Sequence, residues 1–192
     1  MNSTPLPSYL VLASNPTPGG VAVHTTAWVR ALAAAGYPVT LVDLSGDICR
    51  PLLAGTSVRV VHCPLPGYGA GWQQFRTWRK ALHPYRAQRV VLCRGYAGAG
   101  QLATLLAIRQ QARRLYTIEH QTADHMRHIN PQWRPPSTLK CRLVRPLIYR
   151  ALAVSEAVRQ SCLQLLALRP AQVVTCHNWV DTDRYQPDEQ AR

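Results

Sequence analysis

Short continuous apolar runs alternate along this chain with stretches in which apolar residues return at helical spacing. The first run, Tyr9-Leu10-Val11-Leu12-Ala13, ends in Ser-Asn-Pro-Thr-Pro-Gly-Gly and reads as a buried strand leading into a loop. From Val21 the period changes. Ala27, Trp28, Ala31, Leu32 and Ala35 mark a helix, and Gly36 follows as its stop signal. Val39 to Val42 is the next strand. A strand, a helix and a strand of this size make a βαβ unit, which is parallel and right-handed.

The alternation continues to the end of the chain. Strands are predicted at Val58–Val61, Arg89–Cys93, Leu115–Ile118, Leu152–Val154 and Val173–Cys176. Helices are predicted at Trp72–Leu82 and Ala99–Arg113, with a third from Leu139 to Tyr149 that breaks at Pro146. Gln121 to Pro136 is polar and reads as a loop. Ser155 is a helix N-cap with Glu156 complementing the dipole, and Val158, Cys162, Leu165 and Leu166 form that helix's buried stripe. Apolar strands alternating with helices specify an α/β fold, a doubly wound Rossmann-like parallel sheet of about seven strands. The polar tail Gln186–Arg192 is expected to fray.

Composition narrows the class. Hydrophobic residues make up 47% of 192, enough for one compact domain or one lobe of something larger, and 16% charged residues exclude a disordered solvating chain. The apolar runs are too short to span a bilayer, and the N-terminus lacks the basic and long apolar regions of a secretory signal. A cytoplasmic location is expected, with peripheral attachment to the inner membrane face as an addition to it. Cys49, Cys63, Cys93, Cys141, Cys162 and Cys176 contain no C-x-x-C pair and lie mostly in apolar runs, so they read as buried, reduced thiols. His120, His125 and His128 are spaced H-x4-H-x2-H, which matches no common zinc pattern, and no metal or cofactor is expected.

The net charge of +13 is almost entirely arginine, since Lys80 and Lys140 are the only lysines. Arginine suits phosphates, so nucleic acid, an anionic membrane and a phosphorylated small molecule all fit. Trp72, Phe75 and Trp78 interleave with Arg76, Arg79 and Lys80, and Arg142–Arg150 has a similar mix. Such segments either lie on an anionic membrane surface or pack their rings on the sheet. No known RNA-binding motif is present, which counts against nucleic acid.

Ligands of open parallel sheets sit beyond the carboxyl ends of the strands. The first such loop holds Gly19-Gly20. Glycine permits positive φ and close approach to the backbone, and the helix start that follows favours an anion. The G-x-G-x-x-G and G-K-[ST] patterns are absent from this loop, which counts against a nicotinamide enzyme and a P-loop NTPase. Gly95 to Gly100 forms a second glycine-rich loop that either packs helix on strand or meets a ligand. Glu119-His120 ends the fifth strand, where a His either serves chemistry or bonds a neighbouring carbonyl. Arg94, Gln121 and Ser155 also lie at carboxyl ends of strands and are weaker cleft candidates.

Taken together, four ordered segments carry a resemblance. "PGGVAVHTTAWVRALAAAGYPVTLVD" resembles the opening βαβ of GT-B glycosyltransferases of family 4. "LYTIEHQ" resembles their strand ending in a functional His, "ALAVSEAVRQSCLQLL" a later strand and helix, and "VVTCHNWVDTDRYQP" the stretch closing their first domain. The resemblance implies transfer of a sugar from a nucleotide-sugar donor to a carbohydrate or lipid-linked acceptor hydroxyl, with retention and without a metal. It implies that Gly19 and Gly20 lie near the donor phosphates and that His120 faces the reacting sugar. It further implies that residues 1–185 are the N-terminal, acceptor-side lobe and that 186–192 begin the interdomain linker. The second Rossmann lobe, which holds most of the donor, is not in this sequence. The expectation is therefore a shortened gene product or a donor lobe supplied by a separate chain, with little activity from this lobe alone. Asn178-Trp179-Val180-Asp181 departs from the family's Asn-Gly-Val-Asp, so that turn is expected to differ or be strained. A non-catalytic partner subunit, or a basic module that binds nucleic acid or membrane, is the alternative.

Overall fold

The computed structural model describes residues 6–13, 19–44, 46–63, 71–85, 87–96, 102–132 and 134–178. The apolar runs become seven strands: β1 (Tyr9–Ala13), β2 (Val39–Asp43), β3 (Arg59–His62), β4 (Ala87–Tyr96), β5 (Ala112–Gln121), β6 (Arg150–Ala153) and β7 (Val173–Thr175). They form one all-parallel sheet in the order β3-β2-β1-β4-β5-β6-β7. The order reverses between β1 and β4, which makes that pair the topological switch point of a Rossmann-like sheet.

Among the described residues the helices are α1 (Gly20–Ala34), α2 (Cys49–Leu52), α3 (Trp72–Leu82), α4 (Leu102–Arg109), α5 (Ala123–Ile129), α6 (Thr138–Val144) and α7 (Glu156–Leu165). Right-handed crossovers put α1 and α2 on one face and the later helices on the other. The contacts of α1 with α2, α3 with α4, and α4 with α6 follow that division. Between the layers, the central strands bury Leu10, Leu12, Leu41, Leu92, Leu115 and Ile118 almost completely. Each such side chain contributes about 1.5–3 kcal/mol of burial free energy.

Several local expectations hold to the residue. α3 spans Trp72–Leu82 as its spacing predicts. Gly36 has φ +82° and closes α1 in a Schellman motif, with Gly36 N–H donating to Ala33 O and Tyr37 N–H to Leu32 O. Ser155 caps α7, its Oγ accepting from Val158 N–H at 3.2 Å. The helix ending at Val144 passes into a 3-10 turn at Arg145–Leu147, the break that Pro146 imposes.

Others are corrected. α1 buries Ala22, His24, Thr25, Thr26 and Val29, whereas Ala31 and Ala35 of the predicted stripe are exposed. Threonines take positions 25 and 26 of the inner face, so the apolar pattern pointed a third of a turn away. The polar stretch after Gln121 is not all loop. Thr122 caps α5 by accepting from His125 N–H at 3.1 Å, and only Met126 of that helix is buried. A helix with one buried residue leaves no periodic apolar signal. β4 and β5 each run to ten residues, longer than the apolar runs that predict them.

Candidate functional site: a histidine pair at the switch point

The register of β4 and β5 sets Arg94 opposite Glu119. Their side chains share one face and form an ion pair, with Nη2–Oε1 at 2.5 Å and Nε–Oε1 at 2.7 Å. The two side chains are only 2% and 0% exposed. A pair this deeply buried stands only while both partners are present, because either charge left alone is strongly unfavourable. α7 covers this face with Cys162, whose thiol is pushed up by burial and then by the Glu119 charge, against the lowering pull of Arg94.

Strand alternation sends the next residue, His120, to the opposite face, where α1 lies. His120 Nδ1 is 3.0 Å from Arg94 O, and His120 Nε2 is 3.0 Å from His24 Nδ1 on α1. The rings meet edge to face, with centroids 5.1 Å apart. A carbonyl only accepts, so His120 Nδ1 carries the hydrogen. In the neutral ring Nε2 is then an acceptor, and His24 Nδ1–H donates to it. Burial, then the neighbouring His120, lowers the His24 pKa to about 4. Burial lowers that of His120 as well, offset in part by the Arg94 carbonyl and Glu119. Both rings are neutral at pH 7. Beside them on the α1 face, burial pushes the Cys93 thiol up to about 12 despite the Thr25 hydroxyl.

His24 lies one turn beyond Gly20, the first residue of α1, and Val23 N–H donates to Gly19 O. The His24–His120 bond therefore ties the end of β5 to the helix that follows the glycine bend, across the β1/β4 switch point. Gly19 itself is extended, with φ 179°, so the expected positive φ is not what glycine supplies here. A Cβ at either glycine would meet nothing within 4 Å among the described residues. The α1 N-terminus has no side-chain cap and no acidic residue in its first turn, so its N–H groups and positive dipole end are not offset from within the helix.

The remaining sequence candidates divide. Arg94 is buried in its ion pair and meets His120 through its backbone carbonyl. Gln121 follows His120 at the end of β5, half-buried and in register with Tyr96. Ser155 stands past the end of β6 with its hydroxyl engaged as the α7 cap. His125 and His128 are exposed on α5. The later part of the second glycine loop, residues 97–100, and the turn from Trp179 onward lie outside the described residues. His24 was not foreseen: a lone His in an alanine-rich helix carries no motif, and its place one turn past Gly20 was the only signal.

A cavity of about 680 Å³ among the described residues lies elsewhere. It opens at the amino ends of β4 and β5, lined by Ser8, Gln88, Arg109 and Arg113 among others. α3 turns Phe75 and Trp78 into the core, leaving Trp72 exposed and stacked on Phe75 at 4.7 Å. No helix among the described residues is long and apolar enough to cross a membrane.

Solved structures share the fold. A glycosyltransferase from Rickettsia africae aligns with TM-score 0.68 at 16% identity, over 93% of this chain and 44% of its own. The Anabaena protein HepE, crystallised with UDP and glucose, aligns with TM-score 0.64 at 14% identity, over 96% of this chain and 48% of its own. MurG of Acinetobacter baumannii aligns with TM-score 0.53 at 13% identity, over 95% of this chain and half of its own. The chain thus spans about half the length of these structures and matches one lobe of the GT-B architecture. Comparison with curated proteins finds none that match. The family model of Glycosyltransferase Family 4 matches residues 18–184, nearly the whole of the described fold, and the chain belongs to that family.

Proposed function

We propose that this chain is the acceptor-side lobe of an enzyme that moves a sugar from a nucleotide-sugar donor to an acceptor hydroxyl, with retention and without a metal. The observation that carries the reading is the His24–His120 hydrogen bond, which sets the strand-end imidazole behind the helix that begins at the glycine bend. In this reading the uncapped start of α1, with Gly19 and Gly20, meets the donor phosphates, and the two glycines keep the approach open. His120 orients the reacting sugar, and the Arg94–Glu119 pair holds rigid the backbone carbonyl on which its ring rests.

A lobe forms only one wall of such a crevice, so efficient transfer needs a second, donor-binding lobe. That lobe belongs to a separate chain or to a longer form of this one, and a carbohydrate or lipid-linked hydroxyl is the acceptor. Attachment to an anionic membrane would rest on Trp72 with Arg76, Arg79 and Lys80, since Phe75 and Trp78 face the core. UDP-glucose is the first donor to try, because HepE was crystallised with UDP and glucose. The test is sugar transfer with a family donor lobe supplied. His120→Ala is expected to lower turnover about a hundredfold. Unchanged turnover removes His120 from the reaction.

A further inference from the structure

The histidine pair has a direction. Arg94 O is an acceptor only, so His120 must present Nδ1–H to it, and His24 must in turn present Nδ1–H to His120 Nε2. That leaves His24 Nε2 as a bare lone pair. It is buried, and among the described residues it has no hydrogen-bond partner. His24 as a whole is 6% exposed, so the unmade bond is not answered by bulk water.

We propose that His24 is the positioning residue for His120: its Nδ1–H locks the strand-end ring as the neutral Nδ1–H tautomer and fixes the orientation of that ring at the rim. This rests on the sugar-transfer reading for the role of His120, but the tautomer chain stands on geometry alone. The neighbours are compatible with it. Arg94 and Glu119 neutralise one another on the far side of the strand, and the Cys93 thiol beside the pair is held protonated by burial. Trp28, edge-on to His24 at 6.5 Å, adds no charge. Nothing among these groups stabilises an imidazolium at His24, so the proton-poor form of the pair is the resting one.

The experiment is a pH titration of the ring nitrogens by long-range 15N–1H NMR on the full chain, with His24→Gln and His24→Leu beside it. Both rings of the unsubstituted protein are expected as Nδ1–H, with both Nε2 atoms bare. His24→Gln keeps an N–H donor toward His120 and should leave its midpoint near the original. His24→Leu keeps a buried side chain but offers no donor, and should raise the His120 midpoint by about one pH unit or more. A packing role alone would move the two variants together. An Nε2–H tautomer on either ring of the unsubstituted protein, or equal His120 midpoints in the two variants, overturns the proposal. If His24→Leu does not fold, the tautomers of the unsubstituted protein decide. The readout needs no substrate, so its outcome is separate from that of the transfer assay.

Discussion

The two ends of the sheet teach opposite lessons about charge and shape. The amino end holds a cavity of about 680 Å³ and a dense group of arginines, yet two of those arginines are engaged with aromatic rings. Arg89 bonds Tyr9 Oη and lies 5.3 Å from that ring, and Arg114 sits 4.6 Å over Tyr149. The carboxyl end has a smaller, tighter arrangement in which every polar atom of His120 is directed. Concavity and positive charge mark the first region, while oriented hydrogen bonds across the switch point mark the second. Part of the +13 charge therefore has a structural home, packed on tyrosines, and need not report a phosphate-rich partner.

The sharpest contrast is in stability. Glu119→Ala removes the carboxylate paired with the buried Arg94 guanidinium and should cost about 3–5 kcal/mol, read as a fall in Tm or in denaturant midpoint. Arg113→Ala, exposed at the amino end, should stay within about 0.5 kcal/mol. Equal losses would dissolve the contrast. In sugar transfer with a donor lobe supplied, the hundredfold loss on His120→Ala should have no counterpart in Arg113→Ala. If Arg113→Ala lowered turnover as much, the amino-end groove would have to be reconsidered.

Acid should act on the carboxyl end first. His24 and His120 are held neutral in the fold with lowered pKa values, whereas in the unfolded chain each takes a proton near its ordinary pH of about 6.5. The unfolded state thus binds more protons over the interval between, and folding stability falls as pH drops from about 6.5 toward the His24 value of about 4. Unfolding free energies measured across this interval should slope downward toward acid, and His24→Gln should flatten the slope. The smallest effect concerns the rim's support. Ser155→Ala removes the α7 cap and should cost about 1 kcal/mol, with Ser155→Asp restoring most of it.

Much of the architecture was legible because parallel strands buried on both faces leave continuous apolar runs, and because Gly36, Ser155 and Pro146 mark helix ends by local chemistry. His120 could be picked out for the same reason: its strand ends where ligands of such sheets lie. The other half of the pair was not legible. His24 is placed by the contact of α1 with β5, a long-range fact with no local pattern, and the threonines on the inner face of α1 hid which side was buried. Arg94 shows the limit differently. Its place at a strand end suggested a cleft residue, but the register that sets it against Glu119 is visible only in three dimensions. The aromatic spacing of α3 was ambiguous between a surface and a core, and packing resolved two of its three rings inward.

The central claim is that the glycine bend and the histidine pair form one ligand-binding rim. The most direct test is titration of the 15N-labelled chain with UDP-glucose, followed residue by residue in 1H–15N spectra. The account predicts concerted shifts at Gly19, Gly20, His24 and His120. Shifts confined to the groove around Arg109 and Arg113 would contradict it.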